Sequence, residues 1–94
     1  MSLSNPIQVY PHEEFLVINS VRYARGRSTY VVSETCEWVA EHWDQLSENT
    51  KTVVARDVRQ EVEFRRNEGV RQSASEKIDN PFWERLFDVV GDWA

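Results

Sequence analysis

Between Tyr30 and Leu46 the chain reads Y-V-V-S-E-T-C-E-W-V-A-E-H-W-D-Q-L. Val32, Cys36, Val39, Trp43 and Leu46 recur at gaps of four, three, four and three. An α-helix turns once every ~3.6 residues, so this spacing sets all five on one side. Glu34, Glu37, Glu41 and Asp44 follow gaps of three, four and three and take the opposite side. Val31, Thr35, Trp38 and His42 flank the apolar stripe. The stretch is therefore one helix with a wide apolar face and an uninterrupted acidic ridge.

The rest of the chain divides around it. Met1–Pro11 holds Pro6 and Pro11 with Ile7, Val9 and Tyr10 between polar residues, and reads as an extended arm. A first helix starts at Pro11 or His12, with Glu13 and Glu14 suited to the positive end of the helix dipole. Phe15, Ile18, Val21 and Arg22 lie along one side, widened by Val17 and Ala24. Gly26 is the expected stop, because glycine enters the left-handed region without steric cost. Ser28 or Thr29 caps the central helix.

Ser47–Thr50 is a second turn with capping residues, and a third helix runs from about Thr50 to Glu68, ended by Gly69. Its apolar positions are Val54, Val58 and Val62, with Val53, Ala55 and Phe64 beside them. Arg59 with Glu63, and Glu61 with Arg65, stand at ion-pair spacing worth a few tenths of a kcal/mol each. Residues 70–79 carry the weakest pattern and read as a mobile loop. Asn80-Pro81 then announces the last helix, Asn80 as N-cap and Pro81 at the first helical position. Phe82, Trp83, Leu86, Phe87, Val89, Val90 and Trp93 make it apolar on most sides.

These elements predict an all-α fold: a small four-helix, orthogonal or bundle-like domain with an extended N-terminal arm. Strand readings of Ile7–Tyr10 and Tyr30–Ser33 lack a pairing partner. Ninety-four residues make a single domain. A chain of this length buries roughly 60–65% of the surface that its unfolded form exposes. One core is attainable, and a second copy of the chain is a reasonable source of added stability. No run approaches the ~20 apolar residues of a membrane span. The N-terminus shows no signal-peptide pattern and Cys36 is the single cysteine, so a cytoplasmic setting is expected.

Charge narrows the function classes. The formal net charge is −5, and no Lys or Arg lies between residues 30 and 50. An acidic chain without a strongly basic region is a poor general binder of nucleic acid. The ridge Glu34, Glu37, Glu41 and Asp44 reads as a solvated face or as a docking surface for a basic protein patch. Arg22, Arg25 and Arg27 read as an anion site, or as partners of the helix dipole and of the ridge. A helix-turn-helix reading around Gly26 sets the four carboxylates of the second helix against DNA phosphates. The third helix, with Arg56, Arg59, Arg65 and Arg66, is the better nucleic-acid candidate, diluted by Asp57, Glu61 and Glu63.

Catalytic signatures are missing. His12 and His42 do not stand at metal-ligand spacing, and Cys36 falls on the apolar stripe. No serine occupies a Gly-x-Ser-x-Gly elbow, and with 3 glycines in the chain no phosphate-binding glycine loop is formed. The reading is therefore non-enzymatic, with no cofactor and no metal. Among the C-terminal aromatics, Trp83 or Trp93 could remain outside the core, and Trp93 joins the ridge as a candidate partner contact.

The run Tyr23-Ala24-Arg25-Gly26-Arg27-Ser28-Thr29-Tyr30 resembles a Tyr-Ala-x-Gly-Arg-x-Thr-Tyr motif of small uncharacterised phage and prophage proteins. There the motif precedes a helix with a tryptophan, a Leu-Ser turn and a helix holding Arg-Asp or Arg-Glu. The matching parts are Trp38 or Trp43, Leu46-Ser47 and Arg56-Asp57, over roughly residues 15–65. Arg25 stands where those proteins usually carry Leu. The resemblance implies a mobile-element origin and no catalytic residue. The combined expectation is a small phage- or prophage-type protein that binds another protein, with a homodimer as a further partner expectation. The alternative is a nucleic-acid-binding accessory protein using the third helix.

Overall fold

The computed structural model describes residues 14–25, 29–90 and 93. Four helices follow in order: α1 Glu14–Ala24, α2 Thr29–His42, α3 Glu48–Asn67 and α4 Ala74–Val90. Short 3-10 turns, Trp43–Gln45 and Gly69–Arg71, close α2 and α3. No strand occurs among the described residues, and the domain is a four-helix orthogonal bundle. The arm over residues 1–11, the start of the first helix before Glu14, and Gly26 lie outside the described residues.

The apolar stripe of α2 and of the 3-10 turn that follows it is the centre of the core. Val32, Cys36, Val39, Trp43 and Leu46 are all buried. Helix α2 packs most extensively on α4, which buries Trp83, Leu86 and Val90, and α3 packs on α4 as well. Helix α1 lies against α3 and α2 through Val17, Val21 and Ala24. The face of α1 is thus turned from the expected one: Phe15 is 58% exposed, and Ile18 is only partly buried. From α3 the core takes Val54, Ala55, Val58 and Val62, while Phe64 stays outside.

Helix α3 begins where Ser47 caps it. The Ser47 Oγ accepts the Thr50 N–H at 3.3 Å, supplying one of the acceptors that a helix start lacks.

Two boundaries differ from the sequence expectation. The segment 70–79 is not a loop, because α4 starts at Ala74. Ser73 Oγ accepts the Glu76 N–H at 3.2 Å, and Glu76 Oε1 accepts the Ser73 N–H at 3.4 Å. This reciprocal capping box starts the helix before the Asn80-Pro81 signal. Pro81 therefore sits inside α4. It has no N–H to give to the Lys77 carbonyl. Asn80 is not a cap, since its Oδ1 accepts from Gln72 Nε2 and Arg65 Nη1, both at 3.2 Å. The second difference is the end of α2, which stops at His42, with Trp43–Gln45 in a 3-10 turn short of Leu46. Gly69 follows the end of α3 as expected, without a left-handed backbone, and a Cβ placed there meets nothing within 4 Å. The chain leaves α3 through the Glu68 N–H, which bonds to the Phe64 carbonyl at 3.0 Å, and continues directly into the 3-10 turn.

Candidate functional site

Burial of the α2 stripe turns its other side to solvent. Glu34, Glu37, Glu41 and Asp44 are all exposed, as their spacing requires. Among the described residues none of the four is in an ion pair. The flank of the same helix is ordered by aromatic packing. Trp38 and His42 stack with ring centroids 4.1 Å apart. His42 Nδ1 lies 2.8 Å from the Trp38 carbonyl oxygen, and since a carbonyl only accepts, Nδ1 carries the proton.

The arginines beside the ridge turn elsewhere. Arg22 Nε donates to Asp57 Oδ2 at 2.9 Å, and Arg25 Nε donates to Glu61 Oε1 at 2.9 Å. Arg25 Nη1 also lies 3.9 Å from Asp57 Oδ1. Their acidic partners are on α3, not on α2, so the expected pairing with the ridge is replaced by a bridge between α1 and α3. The contacts of Arg22 and Arg25 are with carboxylate side chains of α3. Arg27, the third member of the expected cluster, lies outside the described residues.

The bridge continues inward. Glu61 Oε2 accepts from Arg65 Nε at 2.7 Å. Arg65 Nη1 also donates to the Glu76 carbonyl at 2.9 Å, and its guanidinium lies 5.7 Å from the Trp83 ring centroid. Asp57, Glu61 and Arg65 are 6%, 9% and 9% exposed. A pair read from spacing as a weak surface contact is thus a buried ionic link joining three helices. The helical period already set Asp57, Glu61 and Arg65 on one line beside the valines. The signal that could have found them was the number of cations on α1 facing that line.

Trp93 is held within the domain. Its Nε1 donates to Thr52 Oγ1 at 3.1 Å, and its carbonyl accepts from Arg59 Nη1 at 2.7 Å. Its ring meets Trp43 edge-on at 6.2 Å, with Lys51 Nζ 4.9 Å from its centroid. Half-buried in this way, it borders the bundle and does not project as a free contact. Trp83 is fully buried.

The four arginines of α3 are mostly engaged as well. Arg65 is in the buried link, and Arg59 holds the Trp93 carbonyl, not Glu63. Arg66 forms a two-point bond with Glu84, at 3.0 and 2.6 Å. This hydrogen bond with Glu84 holds the exposed guanidinium above its ordinary value. Arg56 is exposed and has no partner among the described residues.

Cys36 is free and buried, and burial pushes its thiol up to about 12. A thiol held neutral is a poor nucleophile. Among the described residues no group of three or more His, Cys, Asp or Glu side chains is placed to hold a metal ion. No helix among them is long and apolar enough to cross a membrane.

Set against models of known protein families, curated proteins and solved structures, the chain matches none of them.

Proposed function

We propose that this chain is a small non-enzymatic protein of phage or prophage type that acts by binding another protein through the acidic face of α2. One observation carries the reading: four exposed carboxylates line up on one side of the α2 segment, and among the described residues no cation pairs with any of them. Asp57, Glu61 and Glu84 each have an arginine partner, whereas Glu34, Glu37, Glu41 and Asp44 have none among the described residues. Like charges spaced three and four residues apart on a helix repel by a few tenths of a kcal/mol per pair. That cost is relieved when a partner brings cations to the ridge. The partner surface is therefore basic, and its attraction is electrostatic and salt-dependent.

The nucleic-acid alternative is weaker. It relies on the α3 arginines, and the charges of Arg65 and Arg66 are already balanced by Glu61 and Glu84, so α3 presents no net basic stripe along its length.

The experiment compares the native chain with Glu37→Arg plus Glu41→Arg as baits. Circular dichroism first checks that both fold alike. A partner held by the native bait, released by added salt and not held by the double variant supports the proposal. A partner held equally by both excludes this face.

A further inference from the structure

A cleft of about 310 Å³ lies between the end of α3 and the start of α4, and no ridge residue lines it. Arg65 and Arg66 line it from α3 and Gly69 from the turn. Gln72 closes the corner, and Lys77, Asn80 and Glu84 line it from α4. The last three are spaced three and four apart, on one side of that helix. The chain as a whole is acidic, yet three of these seven residues are cations.

The hydrogen bonds decide what such a cleft can take. Asn80 Oδ1 accepts from Arg65 and from Gln72, and Gln72 Oε1 accepts from Asn80 Nδ2 at 2.9 Å. Both Glu84 oxygens accept from Arg66. Every side-chain oxygen of the lining already has at least one donor, whereas several of the donors have no acceptor. Among the described residues, Arg65 Nη2, Arg66 Nη1 and Lys77 Nζ have no partner, and each amide nitrogen retains an N–H.

The two arginines among them are also held in place. The Arg65 guanidinium is fixed by Glu61, the Glu76 carbonyl and Asn80, and lies over Trp83. Arg66 is fixed by Glu84 and lies 5.0 Å from the Phe87 ring centroid. Prepositioned donors lose little freedom when a ligand arrives.

We propose that this cleft binds a phosphoryl group, free or carried on a small molecule. A phosphate offers three or more acceptor oxygens in different directions, which suits donors from two helices and a corner better than a planar carboxylate does. The carboxylates on Arg65 and Arg66 leave Lys77 as the unpaired charge, so Lys77 supplies most of the attraction. The open space at Gly69 leaves room at the rim for the group that the phosphate carries.

The test is a two-dimensional amide NMR titration of the whole chain with inorganic phosphate and, in parallel, with phosphoserine. Ionic strength is held constant with sodium chloride. Saturable shifts confined to the neighbourhood of residues 65–84 are expected. Tighter binding of phosphoserine points to a carried phosphate, and equal binding to phosphate itself. Lys77→Gln, an exposed position, should weaken binding about tenfold. Glu37→Arg plus Glu41→Arg should leave it unchanged, which separates this site from the α2 proposal. Linear, unsaturable shifts spread to distant cations such as Arg22, Lys51 and Arg56 would overturn the proposal. So would unaltered affinity in a folded Lys77→Gln variant.

Discussion

Glu61→Ala is the substitution that reads the buried ionic link most directly. The carboxylate accepts from Arg25 on one oxygen and from Arg65 on the other, at 2.9 and 2.7 Å. Its removal affects the two arginines unequally. The Arg25 side chain is 30% exposed and already lies near Asp57, so it turns to that carboxylate or to water. The Arg65 side chain is 10% exposed, and Glu61 is its one carboxylate partner among the described residues. It keeps two neutral acceptors, the Glu76 carbonyl and Asn80 Oδ1, but no countercharge.

Breaking a buried pair from one side costs about 3–5 kcal/mol, and the surviving acceptors favour the lower end, about 3 kcal/mol. A chain of this length has a total stability of roughly 5–14 kcal/mol. With a urea dependence of about 1–1.5 kcal/mol per molar, the unfolding midpoint should fall by about 2–3 M. Far-UV circular dichroism in urea measures it. Arg25→Ala should cost about 1 kcal/mol, since Glu61 keeps Arg65. Glu61→Leu with Arg65→Met removes both charges and should recover much of the loss of Glu61→Ala. A loss below about 1 kcal/mol for Glu61→Ala would place the link in the class of surface pairs and refute the reasoning.

Two further predictions concern other parts of the bundle. Ser73→Ala should destabilise by about 1 kcal/mol, because α4 loses its capping box, whereas Gly69→Ala, in open space and without a left-handed backbone, should be neutral or stabilise by about 0.4–1 kcal/mol; urea midpoints distinguish the two signs. The Cys36 thiol, ordinarily 9.0, is pushed up to about 12 by burial. Below the ordinary value it is protonated in both folded and unfolded chains. Above it only the unfolded chain loses the proton, so stability should fall with rising pH between about 9 and about 12, by about 1.4 kcal/mol per pH unit. Cys36→Ala should lack this share of the slope, which urea midpoints on either side of the ordinary value measure.

Part of this protein is legible in one dimension. The period of Val32, Cys36, Val39, Trp43 and Leu46 determines a helix and its buried side, and the same period turns Glu34, Glu37, Glu41 and Asp44 to solvent. Ser47 marks the start of α3 through its own side chain. Such features depend on residues within a turn or two of one another, and a repeat of ~3.6 residues is a local property. The tertiary structure decided the rest. Arg22 and Arg25 choose Asp57 and Glu61 over the acids of α2 that are nearer in sequence because α1 packs against α3 along that line. Glu61 and Arg65 share a spacing that is common on surfaces, and only the helices closing around them make the pair buried. Asn80-Pro81 reads locally as a helix start, but the Ser73–Glu76 box has already begun the helix and Asn80 is drawn to Arg65 from α3. Pairing partners thirty or more residues apart are selected by which faces the core brings together, and no short-range pattern encodes that choice.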